Sequence, residues 1–278
     1  MPFSPAHSRA IFLDVDGTYA DHGVVPKAHE DAVRAVRANG HAVLLCTGRP
    51  VSAISPHLLA AGFDGIVSGA GARVELGDDV LVDVRFPADI ARRTVEVLDH
   101  HGAVYALESP EAMYAGPEVD LLLDSKTPGP EVPPERRDAF AIFRKALEIT
   151  HARADKSYSK VFVFDSGAPM RQVLDEIGPE VSAVAGSNEA LGERTGEIHL
   201  AHITKAVGMQ AALEGLGLPA DASVAAGDGP NDREMLASAG TAIVVEGALP
   251  DLMAMADLVA GPPSTHGLVS AFTTLGLI

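Results

Sequence analysis

Ile11-Phe12-Leu13-Asp14-Val15-Asp16-Gly17-Thr18 is an apolar run that breaks into two carboxylates two positions apart. A short apolar run closing on acids and glycine reads as a buried parallel strand, and open α/β sheets gather their ligands at the carboxyl ends of such strands. Asp14 and Asp16 therefore stand at the strand's mouth. Residues i and i+2 share a face only while the chain stays extended, and Gly17 lets it turn away at once. Two neighbouring acids can divide labour: one, ionised beside a divalent cation, attacks phosphorus while the other carries a proton to or from the reacting ester. Taken alone, the same residues equally fit a turn at a strand end, where Asp-Gly is common in any fold.

Composition narrows the partners. With 278 residues, 47% of them hydrophobic, the chain can bury an ample core and could hold two domains. No apolar stretch is long enough to cross a bilayer and no secretory leader is evident at Met1–Ala10, so the expectation is a cytoplasmic protein. A formal charge of −17 argues against nucleic acid and anionic membranes, both of which reward clustered Lys and Arg. The same charge would repel a phosphate ester, so a bound cation and local donors must reverse the potential at any such site. The single cysteine, Cys46, lies in an apolar run and reads as a small buried hydrophobe.

Outward from the anchor, Val24 to Ala38 has helical spacing and stops at Asn39-Gly40. His41 to Cys46 is a second buried strand, followed by Thr47-Gly48-Arg49-Pro50 and a helix expected from Val51. A hydroxyl and unblocked amides at a strand's carboxyl end can cradle phosphate oxygens, although an ordinary strand-to-helix turn would look the same. Phe63 to Ser68 supplies a third strand, and a hairpin follows around Gly77-Asp78-Asp79. From Pro87 the pattern changes. Helix 90–101, strand 103–107, a Pro- and Gly-rich crossing, helix 135–149, strand 160–165, helix 169–177 and strand 181–184 carry no cluster of candidate catalytic groups. These elements suggest an inserted α+β domain. The expected division is 1–85 and 195–278 for a parallel-sheet core, with 86–194 inserted.

Beyond Gly196 the first pattern resumes. Thr204-Lys205 opens a helix through Leu216, and Ala222 to Asp232 is again an apolar strand ending in acids and glycines, Gly227-Asp228-Gly229-Pro230-Asn231-Asp232. Strands 241–245 and 258–259 follow, with helices 233–239 and 250–256. Strand ends thus offer Asp14 and Asp16, Thr47, and Asp228 and Asp232, with Lys205 shortly before the last. Oxygen ligands without His- or Cys-rich spacing suit Mg²⁺. His199 and His202, three positions apart, would point to opposite faces of a strand and read as packing or solvent-facing residues. His100-His101 sits favourably at a helix end, Arg49 could meet phosphate or a surface acid, and Asp232 could equally cap the helix from Arg233.

Together these segments resemble the haloacid dehalogenase superfamily of phosphatases, in its Cof-like branch with a large α/β cap. Asp14 to Thr18 is similar to the family's first motif, Leu45 to Arg49 to the second, Thr204-Lys205 to the third and Gly227 to Asp232 to the fourth, in family order. The resemblance implies an α/β, Rossmann-like parallel-sheet core with an inserted α+β cap that closes over the ligand. It implies Asp14 as nucleophile and metal ligand, and Asp16 as acid/base with its carbonyl on the metal. Thr47, Gly48, Lys205 and Asn231 would hold the phosphoryl group, Asp228 would bind Mg²⁺, and Asp232 would act behind it. The implied activity is Mg²⁺-dependent hydrolysis of a small phosphorylated metabolite such as a sugar phosphate. A phosphosugar mutase using the same aspartyl phosphate, or a non-catalytic phosphometabolite binder, are the alternatives. Tyr19 and Ser68-Gly69-Ala70-Gly71-Ala72 depart from the family pattern; neither touches the implied chemistry, and both could alter the flap or the hinge of the cap.

Overall fold

The computed structural model describes residues 8–21, 23–185 and 189–278. Its described residues form two compact units, one of residues 1–48, 55–83 and 204–278 and the other of residues 49–54 and 84–203. The expected return to the core at 195 therefore falls at Thr204 instead.

The first unit begins with strand β1 (Ala10–Leu13), every residue of which is buried. Helix α1 (Lys27–Ala38) buries His29, Ala32, Val33 and Val36 along one face and ends at Asn39. β2 (Ala42–Cys46) then pairs parallel with β1, Leu13 opposite Leu45, and β3 (Gly65–Ser68) pairs parallel with β2. β4 (Arg73–Leu76) and β5 (Asp79–Asp83) extend the sheet as the expected antiparallel hairpin. The helix expected from Val51 is a single 3-10 turn, Val51–Ala53. Pro50 and Pro56 bracket it, and a residue preceding proline is pushed away from helical dihedrals.

In the second unit, α2 (Ala88–His100) precedes β6 (Val104–Glu108) and β7 (Met113–Ala115). The Pro- and Gly-rich crossing contains a helix that the sequence reading did not place, α3 (Pro117–Ser125), with Pro117 at a first-turn position where its missing N–H costs nothing. α4 (Pro134–Ala146) stops short of the expected 149, because Leu147 turns extended and opens β8 (Leu147–Ile149). β9 (Lys160–Asp165), α5 (Met170–Ile177), β10 (Val181–Ala185) and β11 (Gly196–Leu200) complete a sheet ordered β10-β11-β9-β6-β7-β8. β11 pairs antiparallel with both β10 and β9, which is why the boundary lies at 204. This unit also holds a largely buried ion cluster. Antiparallel register sets Glu108 opposite Lys160, whose Nζ lies 3.0 Å from Glu108 Oε2 and 2.5 Å from Glu197 Oε2. Burial pushes the Glu108 carboxyl up to about 7, against the pull of Lys160.

His199 is buried on β11 with Nδ1 3.0 Å from the Leu200 carbonyl, and His202 is exposed, so they play the separate roles expected. His101 follows the last turn of α2, its Nε2 2.9 Å from Glu176 Oε2.

The chain returns to the first unit with α6 (Lys205–Leu216), β12 (Ser223–Gly227), α7 (Arg233–Ser238), β13 (Thr241–Val245), α8 (Pro250–Met253), β14 (Leu258–Ala260) and α9 (Gly267–Thr274). The sheet order is β14-β13-β12-β1-β2-β3-β4-β5. From β14 to β3 every pairing is parallel, so the carboxyl ends of these strands lie along one edge. β1 sits at its centre, between β12 and β2. Phe12, Leu44, Val67, Ala225 and Val244 pack with Met209, Leu213 and Met235 from α6 and α7. Such all-apolar strands are what a sheet covered on both faces requires. No helix among the described residues is long and apolar enough to cross a membrane.

Candidate active site

One residue beyond β1, the Asp14 amide still donates to the Ala226 carbonyl, 2.9 Å away, so sheet pairing fixes the root of this side chain. The chain then leaves the sheet. Gly17 has φ +91°, and a Cβ there would drive into the Asp228 carboxylate. Glycine thus serves two ends at this position, a left-handed turn and a close approach. Thr18 Oγ1 donates to Asp228 Oδ1 at 2.6 Å, tying the first and fourth motifs together. Sequence reasoning gave Thr18 no role, although it stands inside the quoted motif.

Lys205 is the first residue of α6 and is buried. A cation at a helix's positive end is unfavourable, and so is a dry lysine. Two carboxylates offset both costs: Nζ donates to Asp14 Oδ1 at 2.5 Å and to Asp232 Oδ1 at 2.6 Å. Asp232 Oδ2 accepts from the amides of Asp228 (3.1 Å) and Gly229 (2.9 Å), so this fully buried carboxylate holds the turn and the lysine together. Its side chain makes no capping hydrogen bond to α7, which removes the capping alternative. The placement of Lys205 depends on a second region missed from sequence. Gly69, Ala70 and Gly71 all have positive φ, and a Cβ on Gly71 would collide with the Thr204 carbonyl. The departure Ser68-Gly69-Ala70-Gly71 thus lets its turn lie directly against the start of α6.

The structure brings Asp14, Lys205, Asp228 and Asp232 together. Thr47 is buried one residue past β2, beside β1, and its amide donates to the Val67 carbonyl at 2.8 Å. Asp16 is exposed, and its charge raises the Asp228 carboxyl, which places its field at the same cluster. Gly48 is half-buried after Thr47, and Asn231 is half-buried between Pro230 and Asp232 with its Oδ1 over Gly229. Cys46 lies beneath; burial pushes its thiol up, so it stays protonated and inert.

Electrostatics define what the cluster lacks. Burial, then the charge of Asp232, holds Asp14 well above the usual carboxylate range, with Lys205 opposing. Burial likewise lifts Asp228 to about 6, against the Thr18 hydrogen bond. Burial alone would pull Lys205 down, but Asp14 and Asp232 outweigh it and keep the ammonium charged. Asp14, Asp228 and Asp232 each offer a carboxylate oxygen, all within 4.8 Å of one another. Three carboxylates against one ammonium leave an excess of negative charge in a partly dry place. An all-oxygen donor set with that excess fits a hard divalent cation such as Mg²⁺.

The chain is thus an α/β protein whose parallel sheet gathers three carboxylates and a lysine at its carboxyl edge, and comparison with known proteins gives its family. The chain belongs to the haloacid dehalogenase-like hydrolase family, whose model matches residues 11–272. It is similar to "Putative phosphatase YkrA" of Bacillus subtilis (strain 168), with 26% identity over 277 residues, 98% of this chain and 99% of that protein. Among solved structures it is similar to the subclass IIB sugar phosphatase BT4131, at TM-score 0.77 and 20% identity, covering 97% of this chain and 100% of that one. It is also similar to BT1666, a phosphatase from Bacteroides thetaiotaomicron, at TM-score 0.76 and 24% identity, covering 98% and 97% of the two chains. At these identities the structural likeness establishes the fold.

Proposed function

We propose that the protein is a Mg²⁺-dependent phosphatase of small phosphate monoesters, sugar phosphates foremost, acting through an aspartyl phosphate on Asp14. The observation that carries this reading is the Lys205 bridge from Asp14 to Asp232 beside Asp228. It holds a carboxylate oxygen with its charge partly neutralised at the centre of the sheet's carboxyl edge, which is what a nucleophile toward an anionic ester needs.

In the forward half, an Asp14 oxygen attacks phosphorus, the bond from phosphorus to the alcohol oxygen breaks, and Asp16 gives that oxygen its proton. In the second half, Asp16, now ionised, takes a proton from water as the water oxygen attacks phosphorus, releasing inorganic phosphate and restoring Asp14. Lys205, with the Thr47 hydroxyl and the Gly48 amide, balances charge on the phosphoryl oxygens, and Asn231 steadies them from the fourth motif. Asp14 and Asp228 would hold Mg²⁺ with the Asp16 carbonyl, Asp232 supporting from behind; the cation supplies the positive charge that the cluster lacks. Residues 84–203 are the cap in this reading. The sugar-phosphate preference draws on the similarity to a sugar phosphatase.

The test is phosphate release from p-nitrophenyl phosphate and a panel of sugar phosphates. Wild type is expected to turn over with Mg²⁺ and stop in EDTA, and Asp14→Asn to fall at least about a thousandfold, as loss of a covalent nucleophile should. Retention of most activity by Asp14→Asn refutes the nucleophile assignment. A hexose 1-phosphate isomerised without free phosphate would indicate mutase chemistry instead.

A further inference from the structure

The loop from Asp14 to Ala20 is closed by its own backbone. The Tyr19 amide is shared between the Asp14 and Val15 carbonyls, both at 3.1 Å, the Ala20 amide donates to Val15 at 2.7 Å, and the Gly17 amide donates to Ala20 at 2.9 Å. A backbone bridge also joins Asp16 to Ala20. One side chain from outside the loop clamps it on the Tyr19 carbonyl: His29, on the buried face of α1, sets Nδ1 2.9 Å from that oxygen. A carbonyl only accepts, so Nδ1 carries the proton and donates, and the neutral ring keeps its lone pair on Nε2. His29 Nε2 and the Tyr19 hydroxyl are both buried without a hydrogen-bond partner. Burial holds the His29 ring below the usual imidazole range, which keeps this neutral tautomer. The Tyr19 ring packs 6.3 Å from His29 and edge-on to Phe63 at 5.5 Å.

The two acids of the first motif are therefore held by different means. Asp14 is fixed by the sheet and by Lys205. The backbone of Asp16 is fixed through Ala20, and the peptide joining Tyr19 to Ala20 is gripped on one side by Val15 and on the other by His29. We infer that His29 is a positioning residue for Asp16, acting through the Tyr19 carbonyl to aim the acid/base carboxylate at the leaving oxygen without touching the reacting atoms. The inference rests on the phosphatase reading and deepens it.

Its signature is selectivity by leaving group. An alkoxide needs a proton as the bond to phosphorus breaks, whereas p-nitrophenolate leaves well without one. kcat/KM reports only the steps up to alcohol release, so it isolates the acid role of Asp16 from its later role as base. The experiment compares wild type, His29→Leu, His29→Asn and His29→Gln on p-nitrophenyl phosphate and on a sugar or alkyl phosphate that the wild type hydrolyses. Asn carries an amide donor at the reach of Nδ1; Gln carries it at the reach of Nε2. His29→Leu and His29→Gln are expected to lower kcat/KM for the alkyl ester by about ten- to a hundredfold and for the aryl ester by less than about threefold. His29→Asn should recover most of the alkyl activity. Should His29→Leu fail to fold, the Asn and Gln pair carries the test by itself. Equal losses on both esters, no loss on either, or no recovery by Asn would overturn the inference while leaving the phosphatase reading standing. A wild type with no turnover of either ester would overturn both.

Discussion

Replacing Asp228 by Asn should stabilise the metal-free protein while abolishing its activity, and the structure gives the size of the effect. Burial, assisted by Asp232, outweighs the Thr18 hydrogen bond and moves this carboxyl from 3.8 to about 6. Below the unfolded value the group is protonated in both states and contributes nothing. Between the two values the folded chain keeps a proton that the unfolded chain has released, so stability falls with rising pH by about 1.4 kcal/mol per unit. Above about 6 the loss levels off at about 3 kcal/mol. Asn carries no charge to desolvate, and its Oδ1 can still accept from Thr18. In EDTA the variant should therefore match wild type near about pH 4 and exceed it by about 2–3 kcal/mol near about pH 8, roughly 4–12 °C in Tm. Chemical denaturation followed by circular dichroism reads the difference at each pH. Added Mg²⁺ should close the gap by stabilising wild type alone. A variant that is less stable than wild type at alkaline pH in EDTA, or a difference that ignores pH, would refute the reasoning.

Other outcomes follow from the same geometry. Gly71→Ala places a methyl against the Thr204 carbonyl at φ +104°. It should cost about 2–4 kcal/mol in urea unfolding and, by moving the start of α6, reduce kcat at least about tenfold. A Gly71→Ala protein with wild-type stability and rate would show that the close approach does not matter. Cys46, the single cysteine, is buried with its thiol pushed up, so a thiol reagent should leave the folded protein unlabelled and react fully in denaturant. Rapid labelling of the folded protein would contradict its place beneath the site. Lys205→Met leaves Asp14 and Asp232 buried without their ammonium and should destabilise the fold by about 3–5 kcal/mol in EDTA, as breaking a buried pair does. No change in its unfolding midpoint would show that the bridge is not formed in solution.

The sequence made the site's framework legible because parallel strands covered on both faces must be apolar throughout, so the point where apolarity stops marks a carboxyl end. Ile11 to Leu13, Val43 to Cys46 and Val224 to Ala226 each announce themselves in this way, with Asp14, Thr47 and Asp228 just beyond. What escaped depends on through-space geometry or on weak local signals. Gly71 is required by the Thr204 carbonyl, far along the chain, and nothing near Gly71 in sequence encodes that neighbour. β11 reads Gly-Glu-Ile-His-Leu, too short and too polar to declare its side of a boundary, and its pairing with β10 and β9 assigns it. No proline or glycine separates α4 from β8, so the change from helix to strand at Leu147 left no mark. Asp232 was ambiguous because a cap and a buried lysine partner use the same side chain; the missing capping bond to α7, its fully buried position and the 2.6 Å bond to Lys205 decide between them. The ion cluster of Glu108, Lys160 and Glu197 needed strand register to assemble it.

The most direct test asks whether Asp14 carries the phosphoryl group. Enzyme mixed with substrate and Mg²⁺, quenched in acid within the first turnover, can be reduced with borohydride, which converts an acyl phosphate into the alcohol of homoserine, and then mapped by peptide mass spectrometry. Homoserine in place of Asp14, dependent on both Mg²⁺ and substrate, is the predicted result. Turnover with an unmodified Asp14, or a trapped acyl phosphate on Asp16, Asp228 or Asp232, would contradict the account.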